Sequence, residues 1–487
     1  MAVSFNSIPT DLAVPLFYAE VDNSRANTAS NLLRSILIGH ANDDAAPNDQ
    51  LTLLTRESDA AALGGSGSML DAMYETRRRS DPTGEVWGLA VQIEGAEASG
   101  EINIDGTATA SGVLTLYIAG RRIAARVIRG ETAQQVAATL AGVINGANGL
   151  PVRAEIAGRT VKITCRWRGE TGNDIALMAG PCPGGLSASV IAMSGGAGVP
   201  DVPKVLASIG DAEGEFIAQP WTDSSALDDF GEWMGSSAGR WSWSSQLYGH
   251  IYSACRGQLG SLVSTGRARN DEHVSIMGVE PSIPQPTWEA AAAFAARQSV
   301  FLSIDPARPT QTGLLGGINP PPVGQRFTLP ERQILLNSGI ATSVYTDGSA
   351  RIERAITTYQ RNPYGQRDDS YLDSETLHTT SYSIRYLRSI ITSKYGRHKL
   401  ANDGTRFGAG QAIVTPSMIR AELIAGYAAL ERRGLVENAK LFARYLIVNR
   451  DESNANRLNI LFPADYVNQL RIFAVLMQFR LQYPEAA

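Results

Sequence analysis

The last apolar segment of the chain alternates with the two-residue period of a β-strand. In NQLRIFAVLMQFRLQ, residues 468–482, both faces are apolar at first, and one face becomes polar from Gln478 onward. A strand of this kind needs a sheet to cover it, although a chain end is usually the least ordered part of a domain. The pattern therefore predicts a strand over residues 470–481 that depends on an acceptor sheet.

Two helices with an apolar face at helical spacing precede this segment. The first is predicted from about Glu375 to its C-cap at Gly396. The second begins with Thr415 as N-cap and Pro416 at the first helical position, and it stops at Gly434. Strands over LFARYLIVNR and RLNILFP are predicted to follow, joined by the polar turn DESNAN, so this region should contain two helices and a β-hairpin.

The middle of the chain alternates between strand-like and helix-like segments. EFIAQPW, LYGHIYSAC and HVSIMGV have the apolar runs of buried strands, and SSALDDFGEWMG, QLGSLVSTGRAR and TWEAAAAFAARQ have helical patterns. This order predicts a layered α/β sheet, to which the earlier segment SILIGHA adds a strand.

Residues 86–199 have a different pattern. GVLTLYIAGRRIAARVIRG and VRAEIAGRTVKITCRWRG each contain two strand-like runs that turn at a glycine, and TAQQVAATLAGVINGA between them has an apolar helical face. The block is predicted to be a small inserted α+β domain, with SGGAGVPDVP as its exit linker.

Together these patterns predict an α+β, multidomain protein. It should have a layered α/β core domain, an inserted small α+β domain, a C-terminal helix and β-hairpin domain, and extended N- and C-terminal arms. The predicted parts are an N-terminal arm over 1–30, a first part of the core over 31–85, the insertion over 86–199, the α/β core over 200–370, the C-terminal domain over 371–467 and the C-terminal arm over 468–487.

Composition is that of a folded protein of the cytosol. Of the 487 residues, 44% are hydrophobic and 19% are charged, which is typical of globular proteins. The 43 basic and 48 acidic residues give a net charge of −5, so no overall basic field favours nucleic acid. The first basic residue is Arg25 and no apolar run approaches the ~18–20 residues of a membrane helix, so we expect neither a leader nor membrane insertion.

A search for catalytic and metal-binding motifs finds none. The five histidines are scattered, and Cys165, Cys182 and Cys255 have neither metal-ligand spacing nor the number needed for a disulfide framework, which indicates a reducing compartment. His250 lies in an apolar strand, where a hydrogen-bonded core histidine is the simpler interpretation. We therefore expect no catalytic residue, metal or cofactor, although an α/β core leaves an oligomeric α/β enzyme without a recognisable motif as an alternative.

One electrostatic feature lies between Glu375 and Asp403, where the sequence has no acidic residue. The simpler explanation is a solvated helix face whose terminal cations complement the helix dipole. The alternative is a docking face for an acidic partner. The cations in this interval are Arg385, Arg388, Lys394, Arg397 and Lys399.

Three stretches of the sequence resemble the contractile tail sheath proteins of Mu-like bacteriophages. They are SFNSIPTDLAVPLFYAEVDNSRA, VRAEIAGRTVKITCRWRGETGNDI and VNRDESNANRLNILFPADYVNQLRIFAVLMQFRLQ. The resemblance extends along essentially the whole chain. It implies a structural subunit of a phage tail, assembled in the host cytoplasm, that forms stacked six-membered rings around an inner tail tube protein. Contraction of such a sheath drives the tube through a host envelope, and baseplate and tail terminator proteins are further implied partners.

The resemblance also implies how the parts of the subunit are used. Both arms should reach into neighbouring subunits and complete their sheets, the C-terminal domain should face the tube, and the insertion should project outward. The five cations above then become candidate tube-facing residues. The implied intersubunit residues are Val14, Leu16, Phe17 and Tyr18 in the N-terminal arm and Leu470, Ile472, Phe473, Val475, Met477, Phe479 and Leu481 in the C-terminal arm.

The energetics of the C-terminal arm predict that it needs an acceptor sheet. Its eight large apolar side chains between residues 470 and 481 contribute roughly 1.5–3 kcal/mol each when buried, and fixing the twelve residues costs roughly 1–2 kcal/mol each. The two sums are about equal, so the strand should form only against a preformed sheet. That sheet belongs either to a neighbour, as in strand augmentation, or to the hairpin of the same subunit, and the sequence leaves both open.

Two further alternatives remain. A nucleic-acid-binding coat protein would need the cations of residues 385–399 beside exposed aromatic side chains. An intact phage tail and a phage-derived contractile particle would contain the same sheath, so the sequence does not separate them.

Overall fold

The computed structural model describes residues 33–481 of the chain. The predicted N-terminal arm with Val14, Leu16, Phe17 and Tyr18 lies outside the described residues. Within them, no helix combines the length and the apolar character needed to cross a membrane.

Residues 33–91 form the first part of the core. Its elements are Ser35–His40 (β1), Thr52–Leu54 (β2), Glu57–Gly64 (α1), Met69–Ser80 (α2) and Val86–Val91 (β3). The predicted strand in SILIGHA is therefore confirmed as β1. It pairs in parallel with β3, and β2 pairs antiparallel with the other edge of β3.

The inserted domain follows β3. Its elements are Glu97–Gly106 (β4), Gly112–Ile118 (β5), Arg121–Val127 (β6), Ala133–Gly146 (α3), Val152–Ala157 (β7), Thr160–Arg168 (β8), Leu177–Ala179 (β9) and Leu186–Ser194 (β10). They form two antiparallel sheets, in the orders β10-β4-β8-β7 and β6-β5-β9. Both predicted hairpins and the helix between them are confirmed, including a turn at Gly158, whose φ of 65° suits glycine.

The insertion begins later than the predicted boundary at residue 86. Val86–Val91 is paired along its whole length with β1, so it belongs to the core sheet. A strand buried in a parallel sheet is apolar on both faces, and its sequence therefore does not show which domain it joins. The chain enters and leaves the insertion at Ala96 and Ala197, which exchange backbone hydrogen bonds of 2.8 and 3.1 Å.

Residues 202–354 complete the core. The elements are Val202–Ile209 (α4), Phe216–Ala218 (β11), Ser224–Met234 (α5), His250–Arg256 (β12), Leu259–Arg267 (α6), Val274–Val279 (β13), Thr287–Ile304 (α7), Leu329–Leu336 (α8), Thr342–Thr346 (β14) and Ser349–Arg354 (β15). The six-stranded core sheet has the order β13-β12-β11-β1-β3-β2 and is parallel except for β2. The predicted alternation of strands and helices is confirmed.

Side chains of β1 reach both faces of this sheet. Leu37 lies in the hydrophobic cluster that contains Met73 of α2 and Phe294 of α7. Ile36 lies in a second cluster with Phe230 of α5. Successive side chains of a strand point to opposite faces, so helices on both sides explain why SILIGH is an uninterrupted apolar run.

The insertion packs directly on the core. Trp167 of β8 and Trp288 of α7 are both buried, with ring centroids 5.5 Å apart in an edge-to-face arrangement. Arg256 at the end of β12 forms an ion pair of 2.5 Å with Asp174 of the insertion. Insertion and core therefore share one continuous hydrophobic cluster.

The C-terminal domain contains the two predicted helices. Its elements are Ser374–Tyr395 (α9), Lys399–Leu400 (β16), Ile413–Val414 (β17), Pro416–Arg432 (α10), Ala439–Tyr445 (α11), Ile447–Arg450 (β18) and Leu458–Leu461 (β19). Helix α10 has the predicted N-cap, in which the Thr415 hydroxyl accepts a hydrogen bond of 3.4 Å from the Met418 amide. Both helices are confirmed.

The strand predicted over LFARYLIVNR is only partly correct. Its first half is helix α11, and strand geometry begins at Ile447. In α11, Phe442 stacks on Tyr427 of α10 with ring centroids 3.7 Å apart. This tertiary contact favours a helix where the aromatic and aliphatic residues alone favoured a strand.

Candidate functional site

The C-terminal segment is attached to the subunit as far as Arg471. The Val467 amide donates a 3.3 Å hydrogen bond to the Leu435 carbonyl, and Gln469 Nε2 donates one of 3.1 Å to the Ala307 carbonyl. The Arg471 side chain, 11% exposed, forms ion pairs of 3.0 Å with Asp373 and 3.1 Å with Glu375. The last residues of the C-terminal domain are thus fixed by contacts with both the core and α9.

Beyond Arg471 the chain is exposed. Seven large apolar side chains of the described segment 472–481 are between 79% and 96% exposed: Ile472, Phe473, Val475, Leu476, Met477, Phe479 and Leu481. Such a concentration of exposed apolar surface marks an interaction site. Fully extended, the ten residues 472–481 reach roughly 33 Å from the body of the subunit.

The predicted strand over residues 470–481 does not pair as a strand with any described residue. The part of the chain that the structure describes forms no strand beyond β19. This agrees with the near-balance between the burial free energy of its side chains and the entropy cost of ordering its backbone, because no described sheet pairs with the segment. The intersubunit role of Leu470, Ile472, Phe473, Val475, Met477, Phe479 and Leu481 stays a prediction.

The hairpin of β18 and β19 is incomplete in the same way. Among the described residues its two strands pair only with each other. A groove of about 620 Å³ runs along it, lined in part by the exposed side chains of Ile447, Ile460 and Leu461. A two-stranded hairpin is marginal by itself and is stabilised by a third strand. Within residues 33–481, the strand-like arm and the hairpin therefore do not pair with each other as strands.

The structure corrects the prediction for Arg385. Its side chain is only 14% exposed, and Nη1 lies 2.7 Å from Oε2 of Glu215, which precedes β11. The guanidinium also lies over the Tyr248 ring, 5.4 Å from its centroid. Arg385 is therefore held within the core. It is not part of the basic surface, which is defined by the exposed cations Arg388, Lys394, Arg397 and Lys399.

Glu215 organises a buried polar network at the start of α9. Its Oε1 accepts hydrogen bonds from His378 Nδ1 at 2.8 Å and from the Ser381 hydroxyl at 2.9 Å. Burial opposes ionisation of Glu215, but the Arg385 charge together with the His378 hydrogen bond lowers its pKa well below the ordinary value. With the carboxylate ionised, His378 donates from Nδ1, and its Nε2 lies 2.7 Å from the Tyr252 hydroxyl.

The other four candidate tube-facing cations lie nearer the surface. Lys394 pairs with Glu422 of α10 at 2.5 Å, Lys399 donates to Gln411 at 3.2 Å, and Arg388 contacts Gln246. Arg397 is exposed and has no ion-pair partner within residues 33–481. The charges of these cations other than Lys394 are thus not neutralised by any described carboxylate.

An exposed tryptophan next to this surface was not found from the sequence. Trp243 is 83% exposed on the loop before β12, and its carbonyl accepts a 2.8 Å hydrogen bond from Gln246, the residue that Arg388 contacts. Hydrogen bonds from Ser245 and Gln246 back to Ser242 also tie this loop together. Tryptophan and arginine are the residues most enriched at interface hot spots. The sequence signal was the pair of tryptophans in RWSW, which has no periodicity.

The histidines and a pocket beside the core sheet give little support to the enzyme alternative. His250 is buried and bonded to Ser275 at 2.8 Å, and burial lowers its pKa. Burial likewise lowers the pKa of His273 to about 3. A pocket of about 210 Å³ at the ends of β1 and β12 is lined by neither of them. The residues in the described range form no group of side chains suited to holding a metal ion.

An exposed apolar arm that is firmly rooted and set apart from a two-stranded hairpin is typical of a structural subunit that assembles with others. Family models agree with this class: residues 195–358 match the phage tail sheath protein central domain, and residues 366–480 match the phage tail sheath C-terminal domain. The chain belongs to the phage tail sheath family and is a contractile sheath subunit.

A related protein and a solved structure are similar to the chain over nearly its full length. The chain is 39% identical to the Mu-like prophage FluMu tail sheath protein of Haemophilus influenzae, over 99% of this chain and 100% of that protein. Its fold is similar to the crystal structure of a sheath tail protein from Desulfitobacterium hafniense, with a TM-score of 0.51, 12% identity, and coverage of 94% of this chain and 97% of that one. The predicted resemblance and the α+β multidomain fold class are thereby confirmed.

Proposed function

We propose that the chain polymerises into rings of six stacked around an inner tail tube, and that contraction of this sheath drives the tube through a host envelope. The observation that supports this most directly is the exposed apolar arm beyond Arg471. Each subunit inserts residues 472–481 beside the β18–β19 hairpin of a neighbour, where backbone hydrogen bonds and the groove at Ile447 are both available. In this role the protein performs no catalysis, assembles in the host cytoplasm, and also contacts baseplate and tail terminator proteins.

Negative-stain electron microscopy of the purified protein tests the proposal. We expect tubes or stacked rings whose formation increases with protein concentration. A protein that stays monomeric over a wide range of concentration and salt would contradict it. Neither outcome distinguishes a phage tail from a phage-derived particle.

The nucleic-acid-binding coat protein stays as a second candidate because of one observation. Trp243 is an exposed aromatic side chain close to the cation Arg388, which is the arrangement that this alternative requires. The sheath proposal expects no tight binding of single- or double-stranded nucleic acid at physiological salt. Strong binding that weakens steeply with added salt would favour the coat instead.

The insertion is proposed to project outward, and cysteine labelling measures this. Ser189 is exposed on β10 of the insertion, and Ser389 is exposed on the basic side of α9. We expect maleimide to label Ser189→Cys equally before and after assembly, whereas assembly should protect Ser389→Cys. The parent protein with its three native cysteines gives the background. Protection of Ser189→Cys would place the insertion in the contacts between subunits.

The exposed part of the basic surface is proposed to face an acidic tube. Arg388→Glu combined with Trp243→Ala should weaken binding to purified tube at least about tenfold, as expected for losing hot-spot residues, and leave tube-free sheath polymerisation unchanged. Added salt should imitate the charge reversal, because screening weakens exposed charge pairs. The measurement is co-sedimentation with the inner tube. Arg129→Glu, an exposed cation of the insertion, is the matched control. An equal loss of sheath polymerisation would show that the surface contacts another sheath subunit.

A further inference from the structure

Arg471 lies in a compact cluster of charges at the root of the arm. Its guanidinium bridges Asp373 and Glu375, and Nη1 donates a 3.3 Å hydrogen bond to Gln311. Asp373 is also held by two hydrogen bonds of 2.8 Å from Arg354 at the end of β15. Two carboxylates thus face two guanidinium groups, and the cluster is neutral.

The cluster connects three parts of the subunit. Glu375 is fully buried at the start of α9, and its Oε1 accepts hydrogen bonds of 3.0 and 2.9 Å from the amide and hydroxyl of Thr310, in the loop after α7. Arg354 belongs to the core, and Arg471 belongs to the C-terminal segment. Exposure rises from 11% for the Arg471 side chain to 79% at Ile472, so the apolar side chains of the arm become exposed immediately after the cluster.

We propose that Arg471 is the positioning residue of the arm: it fixes the point and the direction from which residues 472–481 leave the subunit. This inference rests on the proposed exchange of that arm. Without the guanidinium, the nearest remaining ties are the hydrogen bonds of Gln311 Nε2 to the Leu470 carbonyl, at 3.4 Å, and of Gln469 Nε2 to the Ala307 carbonyl, at 3.1 Å. The exposed segment then loses its direction, which lowers its effective concentration at a neighbour's hairpin and raises the entropy cost of ordering it.

The test uses a variant that removes the clamp without leaving a charge buried alone. In Arg471→Met with Glu375→Gln, the cluster keeps its balance of charge, and the side-chain amide oxygen introduced at position 375 still accepts from Thr310. We expect the monomer to melt near the parent temperature, whereas the critical concentration for tube growth rises about tenfold or more, since ordering even one further residue costs about this factor. Arg471→Lys should lie between the variant and the parent.

Hydrogen exchange separates positioning from a merely structural role. Loss of the clamp should speed exchange of the Val467 and Glu437 amides, which bond across the root, and leave the strands of the core sheet unchanged. Glu422→Gln, which removes an ion pair of the C-terminal domain outside the cluster, is the control and should polymerise like the parent. Suppose that the parent forms tubes and that a chain truncated after Arg471 does not. An unchanged critical concentration in the double variant would then contradict the role of Arg471 while leaving the exchange model intact. If the parent forms no tubes, or the truncated chain still forms them, the exchange model itself fails.

Discussion

A chain that ends at Arg471 is expected to fold, to stay monomeric and to form no tubes. Residues 472–481 contribute almost no burial to the single subunit, because their large apolar side chains are at least 79% exposed. Their removal therefore costs little folding free energy and eliminates an exposed apolar surface. Analytical ultracentrifugation, thermal melting and electron microscopy measure these three properties. The truncation leaves the charge cluster of Arg471 in place, so the C-terminal domain keeps its attachment to α9.

Alternate faces of the arm supply a matched pair of variants. In an added strand, Val475, Met477 and Phe479 lie on one face, and Gln478 lies on the other. Changing the three apolar residues to Ser should abolish tubes as completely as the truncation, and Gln478→Ser should have little effect. Normal tubes from the truncated chain would contradict the hypothesis that the C-terminal arm is exchanged between subunits. Early melting or aggregation of the truncated chain would instead show that the arm covers its own subunit.

The largest loss of stability is expected from Glu215→Gln. This change leaves the mostly buried Arg385 guanidinium without its counter-ion, and removal of one partner from a buried ion pair costs about 3–5 kcal/mol. Chemical denaturation of the truncated, monomeric chain would measure the loss without interference from assembly. The control is Glu422→Gln, which removes the partner of the more exposed Lys394 and should cost at most about 1 kcal/mol.

The ion pair of Glu215 and Arg385 also predicts how the stability of the subunit depends on pH. Glu215 has a lowered pKa in the folded state, so the unfolded chain binds its proton first as the pH falls below about 4.3. The stabilisation from ionised Glu215 is therefore present at neutral pH and is lost in acid. Between pH 6 and pH 3 the free energy of unfolding should fall more steeply for the parent than for Glu215→Gln. Parallel curves would show that Glu215 is not held ionised by Arg385.

The sequence predicted the elements whose signals are local. Helices α9 and α10 followed from apolar spacing and from caps such as Thr415, and the hairpins of the insertion followed from turns at glycine. Helix α11 was missed because its contact with Tyr427 comes from another element. The start of the insertion was misplaced because β3 carries the same apolar run as an inserted strand would.

The candidate site was predictable only where its residues lack partners within the chain. The arm was found because Phe473 to Leu481 alternate as a strand, although no sheet among the described residues pairs with them. The role of Arg385 was missed because its partner Glu215 lies far away in sequence and is brought close only by the core sheet. Trp243 is exposed through loop geometry, which no spacing of residues indicates.

Helix α9 has a mechanical consequence. It is one continuous helix of 22 residues, about 33 Å long, without an internal glycine or proline. Its first turns are bonded to Glu215 and Thr310 of the core, and its last turn pairs with Glu422 of α10 through Lys394 and Tyr395. A continuous helix resists bending, so we expect a displacement of its C-terminal end to be transmitted to the core. If the proposed exchange holds, a sheath that shortens with this helix intact changes shape between subunits, where the ten-residue arm is the more compliant element.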